Sequence, residues 1–264
     1  MGHDRRLKSL ALTLLPDRAL LAVKKRHYVR AVRDFSPPEA PVLQALVQRG
    51  DHVLDVGANV GWYTKLLSEL VGPGGRVFSA EPVPPTFELL SFCVRSLRLD
   101  NVELVDCALS DGAGWATMEV PRYADGGENY YEAELVEDRQ AASGSDLRRF
   151  RVRRDAIDSR FGGCRAPAFI KIDVEGHECA VLRGGRGLIC RARPALFVEV
   201  IGDLDDAHSE SRATATCLAA EGYRPYWFDG ARLRRREAGD PPRNYFFLTG
   251  LHLARLTAQG LKAA

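Results

Sequence analysis

The reactive side chains of this sequence gather at the end of an apolar run, in the segment FIKIDVEGHE at positions 169–178. Asp173, Glu175 and His177 follow that run, and Glu199 stands near the end of a second one, ALFVEV. Carboxylates beyond buried strands are costly without a ligand or cation, and an imidazole with a pKa of about 6.5 can accept a hydroxyl proton. We predict these four as catalytic residues; a helix cap for Asp173 and a surface position for His177 stay open.

Two other charged residues of this segment have simpler explanations. Lys171 lies inside the apolar strand, so we predict a buried salt bridge to one of the acids rather than a catalytic amine. Glu178 fits an ordinary first-turn acid of the helix that follows.

Asp173, Glu175 and Glu199 could together bind Mg²⁺, because hard cations prefer carboxylate oxygens. The sequence has no tight ligand spacing, so we predict a site without metal.

A second candidate site is the stretch HVLDVGANVGWYT at positions 52–64, where a strand runs into a glycine turn. Gly57 and Gly61 lack the Cβ atoms that would keep a ligand from the backbone, and Asn59 can cap the turn or adopt a left-handed conformation. The glycine spacing differs from the GxGxxG of dinucleotide sites and points to S-adenosylmethionine, although structural turns can carry the same string. We predict cofactor contacts at Gly57, Ala58, Asn59 and Gly61, and at Asp55 through an ammonium or a bound water. Asp173 is predicted to contact the cofactor as well as to take part in catalysis.

The strand after this turn, RVFSAEP, also ends in an acid. Glu81 follows the glycine turn by roughly 20 residues, the distance expected for an acid that binds two ribose hydroxyls. Glu81 and the adjoining Pro82 are therefore predicted cofactor contacts. Taken alone, this acid does not separate a nicotinamide cofactor from any other nucleoside.

Strands and helices that alternate along the chain must position these groups. Short apolar runs separated by helical segments predict a parallel sheet with both faces covered, closed by an antiparallel pair. The predicted strands are 53–56, 77–80, 102–107, 168–172 and 195–200, with 223–228 and 244–248 as the closing pair. The predicted helices are 42–48, 62–71, 86–97, one from about 178, and 211–221.

The chain divides into a main domain and two segments outside this rhythm. Residues 1–40 are predicted to form a helical cap of two short helices interrupted at Pro16. Residues 41–264 form the main domain, and its stretch 112–154 is an insertion that is either disordered or a substrate lid. Asn129, Tyr130 and Tyr131 of the insertion are suited to contacting an acceptor, although a tyrosine pair is more often packing.

Composition narrows the class of partner. The 264 residues carry 37 Lys and Arg against 35 Asp and Glu, a balance that argues against nucleic acid or an acidic membrane and for a small-molecule acceptor. No run approaches the roughly 18 apolar residues of a membrane span. The six cysteines form no CxxC pair, which favours reduced thiols and a cytoplasmic location. The oligomeric state stays open, with a homodimer as one option.

In these segments the chain resembles the FkbM-type family of S-adenosylmethionine-dependent methyltransferases. DVGANVGWYT is similar to the family's cofactor turn, AEPVPPTFELL to its ribose segment, and FIKIDVEGHECAVLRGG followed by PALFVEV to its active-site half. NVELVDCALSD is similar to the adenine-side segment, which implies that Asp106, Ala108 and Leu109 contact the base. The resemblance implies an α/β, Rossmann-like class I methyltransferase fold, with a seven-stranded, mostly parallel sheet and helices on both faces.

The function implied by this resemblance is methyl transfer from S-adenosylmethionine to a hydroxyl of a small-molecule natural product or a sugar. Three alternatives stay open: a carboxylate or nitrogen acceptor, a dinucleotide-dependent oxidoreductase on the same kind of sheet, and a non-catalytic protein that retains a nucleoside pocket.

Overall fold

The computed structural model describes residues 17–121, 133–136, 147–240 and 244–262. Its helices are α1 (Asp17–Arg33), α2 (Ala40–Leu46), α3 (Trp62–Val71), α4 (Pro84–Ser96), α5 (Ile157–Phe161), α6 (Glu178–Gly184), α7 (Arg186–Ala192), α8 (Glu210–Ala220) and α9 (Gly250–Ala258). Its strands are β1 (His52–Val56), β2 (Arg76–Ala80), β3 (Val102–Val105), β4 (Ala108–Ser110), β5 (Gly114–Pro121), β6 (Glu134–Val136), β7 (Leu147–Ala156), β8 (Phe169–Ile172), β9 (Ala195–Glu199), β10 (Arg224–Phe228), β11 (Leu233–Arg235) and β12 (Asn244–Leu248).

The main sheet has eight strands in the order β11-β10-β12-β9-β8-β1-β2-β3. The five strands from β9 to β3 pair in parallel, and β12 and β10 join them as the antiparallel pair that the sequence predicts. Leu54 of β1 is in register with Phe78 of β2 and Ile170 of β8, and all three are buried. Strands β1 and β8 are adjacent in the sheet but far apart in the chain. The connections that follow them therefore diverge, which leaves a crevice beyond the ends of these two strands.

The predicted count of seven strands is wrong by one, because β11 adds an eighth strand at the edge. That strand is three residues long, and Leu233 is its only apolar residue, so no alternating pattern marks it. The structure also begins α2 at Ala40 and α4 at Pro84, two residues before the predicted starts, since proline suits the first turn of a helix.

A second sheet of four strands, β4-β7-β5-β6, is built from residues 108–110, which follow the predicted strand 102–107, and from the predicted insertion 112–154 with the two residues after it. The predicted strand 102–107 is too long: β3 ends at Val105, and the chain crosses to β4 in the other sheet. Apolar side chains on one face of this sheet, Met118 and Val152 among them, pack with Val83 and Ala108. Asn129, Tyr130 and Tyr131 lie outside the described residues, and the domain boundaries stay a prediction.

Helix α1 brings the N-terminal segment against the main domain. Its Val32 packs with Val60 and Cys93 in a small buried cluster, and the chain after it places Phe35 5.3 Å, centroid to centroid, from both Trp62 and Tyr63. The predicted break at Pro16 lies just before α1, and residues 1–16 lie outside the described ranges. Among the helices that the structure describes, none combines the length and apolar character that a membrane span requires.

Candidate functional site

The turn after β1 forms the floor of the candidate site and requires glycine at position 57. Gly57 has a φ of +75°, and a Cβ atom on it would lie 1.8 Å from the backbone oxygen of Asp173. A side chain there would force the turns after β1 and β8 apart. Asn59 adopts the predicted left-handed conformation with a φ of 50°, and its Oδ1 accepts a hydrogen bond from the Val60 N–H at 2.8 Å.

Glu81, at the end of the neighbouring strand β2, ties two turns together. Its Oε2 accepts from the Asn59 N–H at 3.0 Å, and its Oε1 accepts from the Val83 N–H at 2.9 Å. The residue is only 5% exposed, and this burial raises the pKa of the carboxyl to about 7. Each carboxylate oxygen has a second lone pair, so Glu81 can still accept hydroxyl hydrogens from a ligand.

A buried ion cluster beneath the turn centres on Lys171, as the sequence predicts. The Lys171 Nζ lies 3.0 Å from Asp173 Oδ2 and 3.7 Å from Asp55 Oδ1. Burial opposes the charge on this ammonium, but the two carboxylates raise the pKa of Lys171 above its usual value. Asp55 is completely buried and also accepts a hydrogen bond from Thr64 Oγ1 at 2.6 Å. The ammonium that Asp55 meets is therefore one supplied by the protein itself.

Asp173 and Glu199 are neighbouring carboxyl groups whose pKa values shift in opposite directions. Burial raises the pKa of Glu199 to about 8, and the charge on Asp173 adds to this shift. Burial also disfavours ionised Asp173, but the Lys171 ammonium and the hydrogen bond from Glu199 hold the pKa of Asp173 below its usual value. These opposite shifts favour a protonated Glu199 that donates to an ionised Asp173.

The turn between β8 and α6 carries the next two predicted residues and is locked by Glu178. Glu175 and Gly176 are consecutive left-handed residues, with φ of 50° and 90°. The Glu178 Oε1 accepts from the Val174 N–H at 3.2 Å and the Gly176 N–H at 3.1 Å, so this acid in the first turn of α6 holds the turn in shape. A non-glycine residue with positive φ is strained, and such strain concentrates at ligand sites.

His177 is the last residue of this turn, directly before α6, and one of its ring nitrogens has a hydrogen-bond partner. Its Nε2 lies 2.8 Å from the hydroxyl of Ser110, a fully buried residue at the end of β4. Burial lowers the pKa of His177, which favours the neutral imidazole.

The three carboxylates that the sequence singled out for a metal do converge. One oxygen each of Asp173, Glu175 and Glu199 lies within 4.8 Å of the other two, an arrangement that could hold a divalent cation. Asp173, however, already has the Lys171 ammonium as its counter-ion. We keep a site without metal as the proposal.

All these turns open into one cavity of about 530 Å³, a size typical of small-molecule sites. The crevice beyond β1, β2 and β8 forms its base. Met118 and Leu135 of the second sheet line one side together with Ala133, which precedes β6, and residues 35–39 close another side. The predicted site residues on its wall are Gly57, Ala58, Asn59, Glu81, Pro82, Ala108, Leu109, Asp173, Glu175 and His177.

Comparison with known proteins agrees with this arrangement. The family model of the methyltransferase FkbM domain matches residues 55–225, well over half of the chain. The chain belongs to this family. Family membership, with the order of strands in the main sheet, confirms the predicted class I methyltransferase fold and makes S-adenosylmethionine the cofactor. The glycine at position 57, the left-handed Asn59 and the acid at the end of β2 all suit that cofactor.

Individual relatives resemble parts of this FkbM chain. Protein-L-isoaspartate O-methyltransferase 2 of Archaeoglobus fulgidus is 33% identical over 75 residues, which is 28% of this chain and 33% of that protein. This chain thus spans about a third of the length of the curated relatives that it matches. The methyltransferase FkbM structure from Methylobacillus flagellatus has a TM-score of 0.46 and 15% identity, over 85% of this chain and 59% of that one. An O-methyltransferase from Bacillus cereus, in complex with SAH, has a TM-score of 0.49 and 17% identity, over 91% and 94%.

Four predicted site residues stand away from the cavity wall in the described part of the FkbM chain. Asp55 is buried beneath the turn, and Gly61 precedes α3 with a φ of 103°. Asp106 is exposed and lies 3.8 Å from an arginine of β7, because the chain leaves β3 before this residue. Glu199 borders a separate, smaller cavity of about 40 Å³, next to Gly176 and Glu178.

The cavity also uses residues that the sequence did not single out. Phe35 and Glu39 come from the chain between α1 and α2, and Met118 comes from the second sheet. Tyr63, on the first turn of α3, places its ring 5.0 Å from the Lys171 Nζ. Of these residues, only Tyr63 could have been found from the sequence, because it follows the glycine turn directly in the aromatic pair Trp62-Tyr63, and aromatic residues beside a ligand turn often pack on the ligand.

Proposed function

We propose that this FkbM-family protein transfers a methyl group from S-adenosylmethionine to a hydroxyl oxygen of a small molecule, such as a natural product or a sugar. One observation carries the choice of acceptor: Glu39, Asp173 and Glu175 line the cavity together with the phenol of Tyr63. Carboxylates accept hydrogen bonds from hydroxyl groups. Aromatic rings offer apolar faces to a sugar or polyketide skeleton.

Each residue of the site has a separate role in this proposal. The cofactor supplies an electrophilic methyl group on a positively charged sulfonium. Glu81 accepts hydrogen bonds from the ribose hydroxyls, while Ala108 and Leu109 line the adenine side. Asp173 contributes a fixed negative charge, which Glu199 orients from behind. His177 accepts the proton of the attacking hydroxyl, and Glu175 binds neighbouring hydroxyls of the acceptor.

The same wall disfavours a carboxylate acceptor, the substrate group suggested by the isoaspartate-specific names of the matched relatives. Two like charges about 4 Å apart repel by about 4 kcal/mol at an effective dielectric constant of 20. An anionic acceptor would meet ionised Asp173 with Glu39 and Glu175 near by. An ammonium would be attracted, but it has no lone pair for the methyl group until it loses a proton. The family also favours methyl transfer over dinucleotide-dependent oxidation.

The proposed partners follow from this chemistry. A small-molecule acceptor is proposed, with no nucleic acid or membrane partner, and a homodimer stays one option. All six cysteines are free thiols, which supports the proposal of a cytoplasmic location.

The test compares acceptors that differ only in the reacting group. Purified protein is incubated with S-adenosylmethionine and with an alcohol, an amine and a carboxylic acid built on the same skeleton, and release of S-adenosylhomocysteine is measured. We expect turnover with the alcohol. His177→Ala should lower kcat by about 10²-fold or more, the range for loss of a general base. The control His208→Ala, at an exposed histidine, should leave kcat unchanged. Faster methylation of the acid, or an unchanged kcat in His177→Ala, would contradict the proposal.

A further inference from the structure

A chain of three polar residues runs from the cavity wall to the surface. His177 lines the cavity, and its Nε2 lies 2.8 Å from the hydroxyl oxygen of Ser110. That hydroxyl also lies 3.3 Å from Asp111 Oδ1. Asp111 in turn meets two arginines, with Arg154 and Arg183 nitrogens each 3.5 Å from its carboxylate oxygens. The functional assignment above uses His177 but gives no role to Ser110 or Asp111.

The number of hydrogens in this chain decides which nitrogen of His177 carries its proton. A serine hydroxyl has one hydrogen to donate, and an ionised carboxylate can only accept. Asp111 is ionised: although some burial opposes its charge, the Ser110 hydroxyl and the two arginines lower its pKa. Both contacts of the Ser110 oxygen are therefore hydrogen bonds in one arrangement only, in which Ser110 donates to Asp111 and the His177 Nε2–H donates to Ser110. In the reverse arrangement, lone pairs of Ser110 and Asp111 face each other with no hydrogen between them.

We propose that Ser110 and Asp111 are positioning residues that hold His177 as the Nε2–H tautomer, so that its Nδ1 keeps the lone pair that accepts the proton of the acceptor hydroxyl. This inference rests on the proposed function. As the acceptor oxygen forms its bond to the methyl carbon and the carbon–sulfur bond breaks, the oxygen loses its proton to Nδ1. The products are a methyl ether, an imidazolium and a neutral thioether, so atoms and charge balance.

The tautomer can be read without turnover. Long-range ¹H–¹⁵N correlation spectra of uniformly ¹⁵N-labelled protein distinguish protonated from unprotonated ring nitrogens, and the His177→Gln variant identifies the signals of His177. We expect a protonated Nε2 in the unmodified protein. Asp111→Ala frees the Ser110 hydroxyl to donate to Nε2, so His177 should shift toward the Nδ1–H tautomer. Because Asp111 is exposed, this variant should fold. Glu103→Ala, which removes an exposed acid of β3, is the matched control and should leave the tautomer unchanged.

Kinetics then test whether the tautomer matters. Asp111→Ala and Ser110→Ala should lower kcat for a hydroxyl acceptor by about tenfold or more while the KM for S-adenosylmethionine stays within about twofold, since the base acts in the proton-transfer step. A protonated Nδ1 in the unmodified protein overturns the inference, as does an Asp111→Ala variant with unchanged tautomer or unchanged kcat. Failure of the proposed function looks different: the tautomer pattern is as expected, but no hydroxyl compound is methylated.

Discussion

Lys171→Met should destabilise this protein far more than the loss of any exposed lysine. The ammonium is 5% exposed and is the counter-ion of Asp55, which is fully buried. Removing one partner of a buried ion pair costs about 3–5 kcal/mol, because the other charge stays buried without compensation. The control is Lys65→Met, which breaks the i,i+4 pair of Lys65 and Glu69 on α3. The side chain of Lys65 is 14% exposed, but that of Glu69 is 54% exposed and can be solvated when the lysine is lost; helix pairs at this spacing contribute only about 0.3–0.5 kcal/mol.

The pH dependence of this loss has a defined sign. Burial already raises the pKa of Asp55, and without Lys171 that pKa rises further. A carboxyl whose pKa is raised in the folded state binds its proton more tightly there than in the unfolded chain. Stability is therefore retained below the unfolded pKa of about 4 and falls as the pH rises above it. The free-energy cost of Lys171→Met should be small at about pH 4 and larger at about pH 8.

The assay is urea unfolding followed by far-ultraviolet circular dichroism at both pH values. A double variant, Lys171→Met with Asp55→Asn, removes both charges and keeps an oxygen for the Thr64 hydroxyl, so it should recover much of the lost free energy. The reasoning is refuted if Lys171→Met costs no more than Lys65→Met, or if the costs of the two single changes simply add in the double variant.

Three further predictions concern the cavity. Gly57→Ala should lower the free energy of unfolding by more than the roughly 1–3 kcal/mol that a strained φ costs, because the added Cβ meets the Asp173 backbone. The control is Gly163→Ala, which has open space around it and should be nearly neutral in thermal unfolding. Calorimetry should show that the affinity for S-adenosylmethionine rises about tenfold per pH unit up to about pH 7, where Glu81 ionises. Glu81→Ala should remove this pH dependence of the affinity. If the pH dependence persists in the variant, it belongs to another group. Turnover should be unchanged by EDTA, and a requirement for added Mg²⁺ would contradict the proposal of a site without metal.

The central strands β1, β2, β8 and β9 of the main sheet could be predicted because they are short, mostly apolar and buried on both faces. The second sheet could not. Strand β7, LRRFRVRRDA, carries five arginines, so its sequence resembles a solvated segment; only the alternation of Phe150 and Val152 shows that one of its faces is buried. Strand β6 has three residues and is recognised only through its pairing with β5. Pairing across the chain, rather than local pattern, makes these residues strands.

In the candidate site, too, some residues could be predicted from local sequence and others could not. Gly57, Asn59 and Glu81 could be predicted because each sits in a turn whose geometry is set within a few residues of a strand end. Asp106 is different. The resemblance of NVELVDCALSD to an adenine-side segment implies that Asp106 contacts the base, but β3 ends at Val105, and the residue turns outward to an arginine of β7.

Charge explains why one part of the site could be anticipated without any knowledge of the fold. A lysine inside the apolar run FIKI must be buried, a buried ammonium requires acids, and the nearest acids in the sequence were already candidates for chemistry. The structure adds Asp55 to that reasoning, from a strand more than a hundred residues earlier in the chain. Parallel pairing of β1 with β8 puts Asp55 directly in register with Lys171. The same pairing carries the glycine turn over the Asp173 backbone, so the ion cluster and the cofactor floor both depend on one strand register.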